Sequence, residues 1–506
     1  MAFSVVALLG LVSLGSCATL VEQVSEVPSG WTQLRDEVSP DQSLWLSFAL
    51  REPNIAELRT RLVSGTSKHL SDEEARLIRQ PDQQDVDAVQ NWLAENGIKD
   101  ARQENDWIHV RTTVAAAEPL LGMKLHRYEF ENGQQALRTT DPCLGKVTPG
   151  CIRELYKLPP AGPSENSTIR LGIAGFLEEY ANYADAAQFL DRLAPDVAST
   201  GYNFSVELIN GGENPQDPSK SGLEAALDIQ YALALAHPAQ LTYYYTGGRG
   251  VKLGDDGKPL AGELVDNEPY LEFLEYLLAK PTDEMPHVLS FSYGDDELSV
   301  PRAYAERICN MMGILTARGT TILSSSGDGG ARGSRRSNCV TPEGKKVTMA
   351  VFPATCPWVT SVGGRDAVDG YVERLDGHLE GYYNSSMRAV PDISAVASRF
   401  EIVVGGRVTY VDGTSASAPL LASLIAVADH ERAKRGKDPV GWINQHLYGR
   451  QAKGVFQDTI TGESTSCPFD GDGGPGGWLA VEGWDAVTGL GVPNDFSEFL
   501  KFLVAI

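Results

Sequence analysis

From residue 169 onward, short apolar runs that read as strands alternate with longer runs of helical period. The strands are expected at 169–174, 205–209, 241–246, 288–292, 320–324 and 360–362, and the helices at 184–193, 223–236 and 304–316. No other feature of the chain is as restrictive, because strands joined by crossover helices pair in parallel and must be covered on both faces. The expected fold class is therefore α/β, a mostly parallel sheet with helices on both faces. Ligands in such sheets sit beyond the carboxyl ends of the strands.

Ahead of that segment, strand-like 44–50 and 107–113 and helical 55–62 and 84–96 make a small α+β unit. It includes a hairpin signal at Asn132-Gly133 after 128–130, and it ends near the polar 138–142. The first boundary is drawn there, giving 19–142 as one domain and 143–506 as the other. Residues 3–14 form the longest apolar run, and Gly15-Ser16-Cys17-Ala18 follows with the small residues a signal peptidase requires, so 1–18 reads as a secretory leader. The alternative is a buried N-terminal strand. No later run approaches the roughly 20 apolar residues of a membrane span, so the mature protein is expected to be secreted and soluble.

Cysteine usage agrees with an oxidising compartment. Removing Cys17 with the leader leaves Cys143, Cys151, Cys309, Cys339, Cys356 and Cys467, an even set with no CxxC spacing. The triplets beginning at Asn166, Asn203 and Asn384 are N-glycosylation acceptors. With 43 Lys plus Arg against 67 Asp plus Glu, the formal charge of −24 argues against a polyanion-binding protein, so nucleic acid is excluded as a partner.

The chemistry centres on Gly413-Thr414-Ser415-Ala416-Ser417-Ala418-Pro419, a tight turn leading into a helix that Pro419 is expected to start. A serine exposed there faces free amides that favour developing negative charge; an ordinary Ser-capped helix is the plainer reading. Glu224 and Asp228 lie four apart on a predicted helix, which puts both carboxylates on one face, where like charges raise each other's pKa and share a proton. An exposed acidic helix face would look the same. Asp328 follows the 320–324 strand in Ser326-Gly327-Asp328-Gly329, a common turn pattern, yet a protonated Asp at a strand's carboxyl end could donate to an oxyanion. A Gly-Thr-Ser-x-x-x-Pro segment on a parallel α/β scaffold suggests a subtilisin-like hydrolase, but the Asp-Ser/Thr-Gly and His-Gly-Thr segments of a subtilisin are missing. Something other than His must take the Ser415 proton.

Glu224 with Asp228, Ser326-Gly327-Asp328 and Gly413-Thr414-Ser415-Ala416-Ser417, in that order, resemble the sedolisin or serine-carboxyl peptidase family. The stretch 19–142, including Leu70-Ser71-Asp72-Glu73-Glu74, looks like that family's activation prodomain, of pro-kumamolisin type and ferredoxin-like fold. The resemblance implies a subtilisin-like catalytic domain made as a zymogen, Glu224 as general base for Ser415, Asp228 sharing and orienting its proton, and Asp328 at the oxyanion. Asn267-Glu268-Pro269-Tyr270 and Ser292-Tyr293-Gly294-Asp295-Asp296-Glu297 look most like the secreted fungal tripeptidyl-peptidase branch. Two positions depart from the pattern: Asp412, where many members have Ser, and Gly175, where some have a further Glu.

The resemblance further implies one Ca²⁺ near the C-terminus, held by Asp458 and Thr459 with Val481, Gly483 and Asp485, a set of carboxylate and carbonyl oxygens suited to a hard cation. It suggests a Cys339–Cys467 disulfide; Cys143 with Cys151 could close a short loop, leaving Cys309 with Cys356. The expectation is an acid-active, monomeric serine-carboxyl peptidase that releases tripeptides from free N-termini of peptide or protein substrates. Its own prodomain would act as an intramolecular inhibitor and folding aid, and its activity would fall toward neutrality. An endopeptidase of the same family and a catalytically silent binding protein are the alternatives.

Overall fold

The computed structural model describes residues 3–7, 9–10, 19–20, 31–34, 38–50, 77, 80–121, 125–130, 135–138, 143, 146–158, 166–334, 337–361, 371, 374–375, 377–384, 388–468 and 476–506. By its internal contacts the chain divides into two units, Met1–Gly145 and Lys146–Ile506.

The first unit is a small α+β structure. Ser43–Ala49 pairs antiparallel with Trp107–Thr113, which pairs in turn with Ala101–Glu104. Leu44, Leu46 and Phe48 alternate with more exposed neighbours, the period-2 pattern of a strand with one buried face. They pack with Val86, Val89 and Leu93 from the Gln83–Glu95 helix, whose apolar positions recur at helical spacing. His126–Phe130 and Gln135–Arg138 form the hairpin signalled by Asn132-Gly133, although the turn itself lies outside the described residues. So do the helix expected at 55–62, the segment 70–74 and the 16–18 cleavage region. Phe3–Ala7 pairs parallel with Ser43–Ala49.

The second unit is built on a five-stranded, wholly parallel sheet in the order Phe204–Ile209, Gln240–Thr246, Arg170–Gly175, Val288–Phe291, Thr321–Ser324. Alternate side chains supply two separate cores. Leu171, Ile173, Tyr243, Tyr245, Val288 and Leu323 pack on one face with the helices Tyr183–Leu193, Leu223–Ala236, Thr414–Lys434 and Phe496–Ala505. Ala174, Tyr244, Leu289, Phe291 and Ile322 pack on the other with Tyr270–Ala279 and Arg302–Ala317. Helices therefore cover both faces, as the alternation in the sequence requires. Antiparallel pieces among the described strands of this unit are the two-stranded Asp295–Asp296/Val351–Phe352, Phe400–Val404/Arg407–Val411 and Phe456–Gln457/Val492–Pro493 ladders.

Two expectations need correction. The run from 360 is no strand within the described residues: Thr360 makes only an isolated bridge to Leu323, at the sheet edge where pairing has nearly run out. Pro419 does not start its helix, which begins at Thr414. Proline is tolerated inside because the carbonyl it would leave without a donor, that of Ser415, accepts a hydrogen bond from the Ser292 hydroxyl at 3.2 Å. No helix among the described residues is long and apolar enough to cross a membrane. Disulfides join Cys309 to Cys356 and Cys339 to Cys467, both as expected.

Candidate active site

The carboxyl ends of the central strands and the N-termini of two buried helices meet at one place. Leu223–Ala236 is apolar nearly all round and buried along most of its length, and it packs against Thr414–Lys434. Its first turns present the only acidic residues of that helix, Glu224 and Asp228. The spacing of four places both carboxylates on the side facing Ser415, so the exposed-acidic-face reading does not hold: Asp228 is 1% exposed. Glu224 keeps some exposure through its stem, while its Oε1 has no solvent contact.

Ser415 donates from Oγ to the Ser292 carbonyl at 3.0 Å. Ser292 Oγ lies 2.8 Å from Asp228 Oδ1 and 3.2 Å from the Ser415 carbonyl. A hydroxyl has one proton for these two oxygens, so both contacts are satisfied together when Asp228 is neutral and donates to Ser292, which donates onward. Electrostatics agrees. Burial, then the neighbouring Glu224, holds the Asp228 carboxyl well above the usual range. Burial also raises Glu224 to about 8, against the pull of the Ser415 hydroxyl, with Glu179 and Asp328 adding like charge. Among the described residues, the groups that set these protonation states are carboxylates and hydroxyls, and no histidine is one of them.

Asp328 follows the strand Thr321–Ser324 and is fixed by the nucleophile's own turn: its Oδ1 accepts from Thr414 N at 2.7 Å and from Thr414 Oγ1 at 2.8 Å. Gly413 is required there. Its φ is +152°, and a Cβ would lie 2.8 Å from Asp328 Oδ2. Asp412, one of the two departures, accepts from the backbone of Arg399 at 2.9 Å and so braces the approach to this turn. A cavity of about 710 Å³ opens beside Asp328 and Thr414, lined by them and by Gly327, Asp412, Glu297 and Thr355.

Three participants escaped the sequence reading: the Ser292 hydroxyl, Glu179 and Tyr243. Glu179 Oε2 accepts the Glu224 N–H at 2.8 Å, and Tyr243 Oη donates to the Glu179 carbonyl at 2.6 Å. The other departure, Gly175, is explained by the same tyrosine: a Cβ at 175 would come within 2.1 Å of Tyr243 Oη, so the phenol fills the space a larger residue would need. The available signal was position, since Glu179 lies just past the carboxyl end of a central strand.

The residues expected to hold Ca²⁺ are also close together. Asp458 Oδ2 accepts from Gly483 N at 2.6 Å, and Asp485 accepts from Val481 N at 3.2 Å and from Thr488 N at 2.7 Å. Asp458 Oδ1 is buried with no hydrogen-bond partner among the described residues. No cluster of three or more His, Cys, Asp or Glu with metal-holding geometry occurs among the described residues, which is compatible with a set of only two carboxylates.

Comparison with known proteins places two family models on the chain: "Pro-kumamolisin, activation domain" over residues 29–153 and "Subtilase family" over 263–476. Tripeptidyl-peptidase SED3 of Arthroderma otae is 33% identical, over 94% of this chain and 93% of its own length. Tripeptidyl-peptidase SED4 of the same organism is 34% identical, over 94% and 93%. Among solved structures, a Pseudomonas sedolisin (serine-carboxyl proteinase) complexed with two molecules of pseudo-iodotyrostatin matches 71% of this chain and 98% of its own, at 18% identity and a TM-score of 0.49.

Proposed function

The chain belongs to the sedolisin, or serine-carboxyl peptidase, family, with a pro-kumamolisin-type activation domain, and from that premise we propose that it is a secreted zymogen whose mature form releases tripeptides from free N-termini in acid. The observation that carries this reading is the side-chain hydrogen bond between Ser415 and the buried Glu224, with Asp228 beside it on the same helix face. When the pair holds one proton, Glu224 is the ionised member that accepts the Ser415 proton as Oγ attacks the scissile carbonyl, and Asp228 stays protonated behind it. Asp328, fixed by Thr414 N and Oγ1 at the turn that carries the nucleophile, is the side chain placed to face the oxyanion. The pair then returns its proton to the leaving amine, and a water repeats the sequence on the acyl-enzyme.

An extended substrate has a place to pair. Val288–Phe291 is paired on both sides, by Arg170–Gly175 and Thr321–Ser324. Beyond it, the main chain of Tyr293 and Gly294 makes no main-chain hydrogen bond among the described residues, and Asp295–Asp296 then pairs with Val351–Phe352. Gly294 lies tight against that ladder, where a Cβ would be 2.6 Å from the Phe352 carbonyl oxygen. That leaves the main chain of Tyr293 and Gly294, beside the nucleophile, for a substrate to pair with as an added strand.

The activation domain would hold the enzyme inactive until acid removes it near 138–142, and the antiparallel strands packed on the Gln83–Glu95 helix favour the finer ferredoxin-like reading of its fold. Cys143 with Cys151 remains our assignment for the third disulfide. Ca²⁺ would be held by Asp458 and Asp485 with the carbonyls of Thr459, Val481 and Gly483, and the orphaned Asp458 Oδ1 is what fits it; bound there it would neutralise two neighbouring carboxylates and pin the 458–485 loops. The test of function is product analysis after acid activation, using an N-terminally free peptide and its acetylated copy. Tripeptide release from the free peptide alone supports the proposal; cleavage of both indicates the endopeptidase, and cleavage of neither the silent binding protein.

A further inference from the structure

We propose that Glu179 is a positioning residue of the catalytic pair: its side chain caps the helix that carries Glu224 and its charge keeps the pair's shared proton in place.

The helix Leu223–Ala236 lacks a cap of its own, since its N-cap residue is Gly222. Glu179, 45 residues earlier in the chain, supplies one through Oε2 on the Glu224 amide at 2.8 Å, with the amides of Leu223 and Ala225 also turned toward it. Gly222 is the only residue type that leaves room, because a Cβ would stand 2.4 Å from Glu179 Oε2 and 2.6 Å from Tyr180 N. The loop is held in an unusual conformation to make this contact. Leu177 and Glu178 have φ of 54° and 60°, a left-handed pair that non-glycine residues seldom adopt in succession. Four contacts hold it there: Tyr243 Oη to the Glu179 carbonyl at 2.6 Å, Glu178 N to Tyr245 Oη at 3.0 Å, Gly222 N to the Tyr180 carbonyl at 3.0 Å, and the Glu178–Arg249 ion pair.

The groups facing Glu224 come from every element around it: Asp228 on its own helix, Glu179 and Tyr243 from two neighbouring strands and their ends, Ser292 and Tyr293 after a third, Asp328 after a fourth, and Ser415 from the second helix. None of them is a cation. Burial raises the Glu179 carboxyl itself, and the helix amides that it accepts oppose that rise; its like charge raises Glu224 and Asp228 alike and so favours the protonated pair.

The inference rests on the catalytic reading above, and its test separates the two. The acid-activated enzyme and its Glu179→Gln and Glu179→Asp variants are assayed for kcat and KM on an N-terminally free peptide across pH. Gln keeps an acceptor for the cap and removes the charge, so the alkaline limb of kcat should move to lower pH by roughly one unit, the scale on which one neighbouring charge moves a carboxylate. KM should hold, because Glu179 acts through the helix amides and the pair. Asp keeps the charge and should return the limb toward the wild-type position. A Glu179→Gln enzyme of wild-type thermal midpoint with an unmoved alkaline limb overturns the proposal, as does an equal shift in Glu179→Asp. A wild-type enzyme without acid activity would instead overturn the catalytic reading.

Discussion

Replacing Glu224 by Gln in a Ser415→Ala background should change how stability depends on pH more than stability itself. Burial raises the Glu224 carboxyl from its ordinary 4.5 to about 8. Between those values the native state binds a proton that the unfolded chain has released, so stability is fully present below pH 4.5 and is lost as pH rises through about 8. The linkage amounts to roughly 3–5 kcal/mol over that interval, part of it shared with Asp228, whose carboxyl is raised by the same neighbour. Gln has the same shape and no proton to lose, and it also relieves Asp228 of a like charge. The Ser415→Ala chain prevents self-digestion during the measurement. Urea unfolding followed by tryptophan fluorescence at pH 4.5, 6 and 8 should show the Ser415→Ala protein losing several kcal/mol toward pH 8 and the double variant losing clearly less. Parallel stability curves for the two would refute the buried, coupled pair.

Asp328→Asn keeps a hydrogen-bonding side chain beside Thr414, so more peptide hydrolysis should survive in it than in Asp328→Ala; equal rates in the two would leave Asp328 as a turn residue. Gly175→Ala should destabilise the catalytic unit by about 1–3 kcal/mol or more through overpacking against Tyr243, measured as a lower thermal midpoint, with trimming of the Tyr243 side chain partly restoring it. Chelation should lower the thermal midpoint, and Ca²⁺ restored to about 100 times its Kd should return about 2.7 kcal/mol; Asp458→Asn should abolish that response, and an indifferent midpoint would remove calcium from the account.

The parallel sheet was legible because its signal is local and repeated. Apolar runs such as 241–246 and 288–292 and the largely apolar helix at 223–236 leave no other arrangement that buries them, and their observed bounds differ from expectation by no more than a residue. Glu224 and Asp228 were legible because i, i+4 spacing is itself a geometric statement. Glu179 was not: it lies 45 residues from the amide it caps, in a loop whose left-handed turn no residue type announces, and only the closure of the sheet brings the two together. Pro419 misled for a related reason. A proline ordinarily marks a helix start, and it is tolerated within this one because Ser292, more than 120 residues away in sequence, supplies the hydrogen bond that proline cannot. The edge strand at 360–362 failed on a weak signal, three residues with too little length to hold a ladder.

The central claim is that a buried carboxylate pair, with no histidine, serves as the base for Ser415. The pH dependence of kcat/KM for tripeptide release, recorded side by side for the acid-activated wild-type enzyme and Glu224→Gln, tests it most directly. The account predicts a wild-type optimum in acid that falls away as the pair gives up its shared proton, and a Glu224→Gln enzyme slower by about 10²–10⁴ at every pH. A Glu224→Gln enzyme that keeps near-wild-type turnover, or a wild-type rate that rises through neutrality, would contradict it.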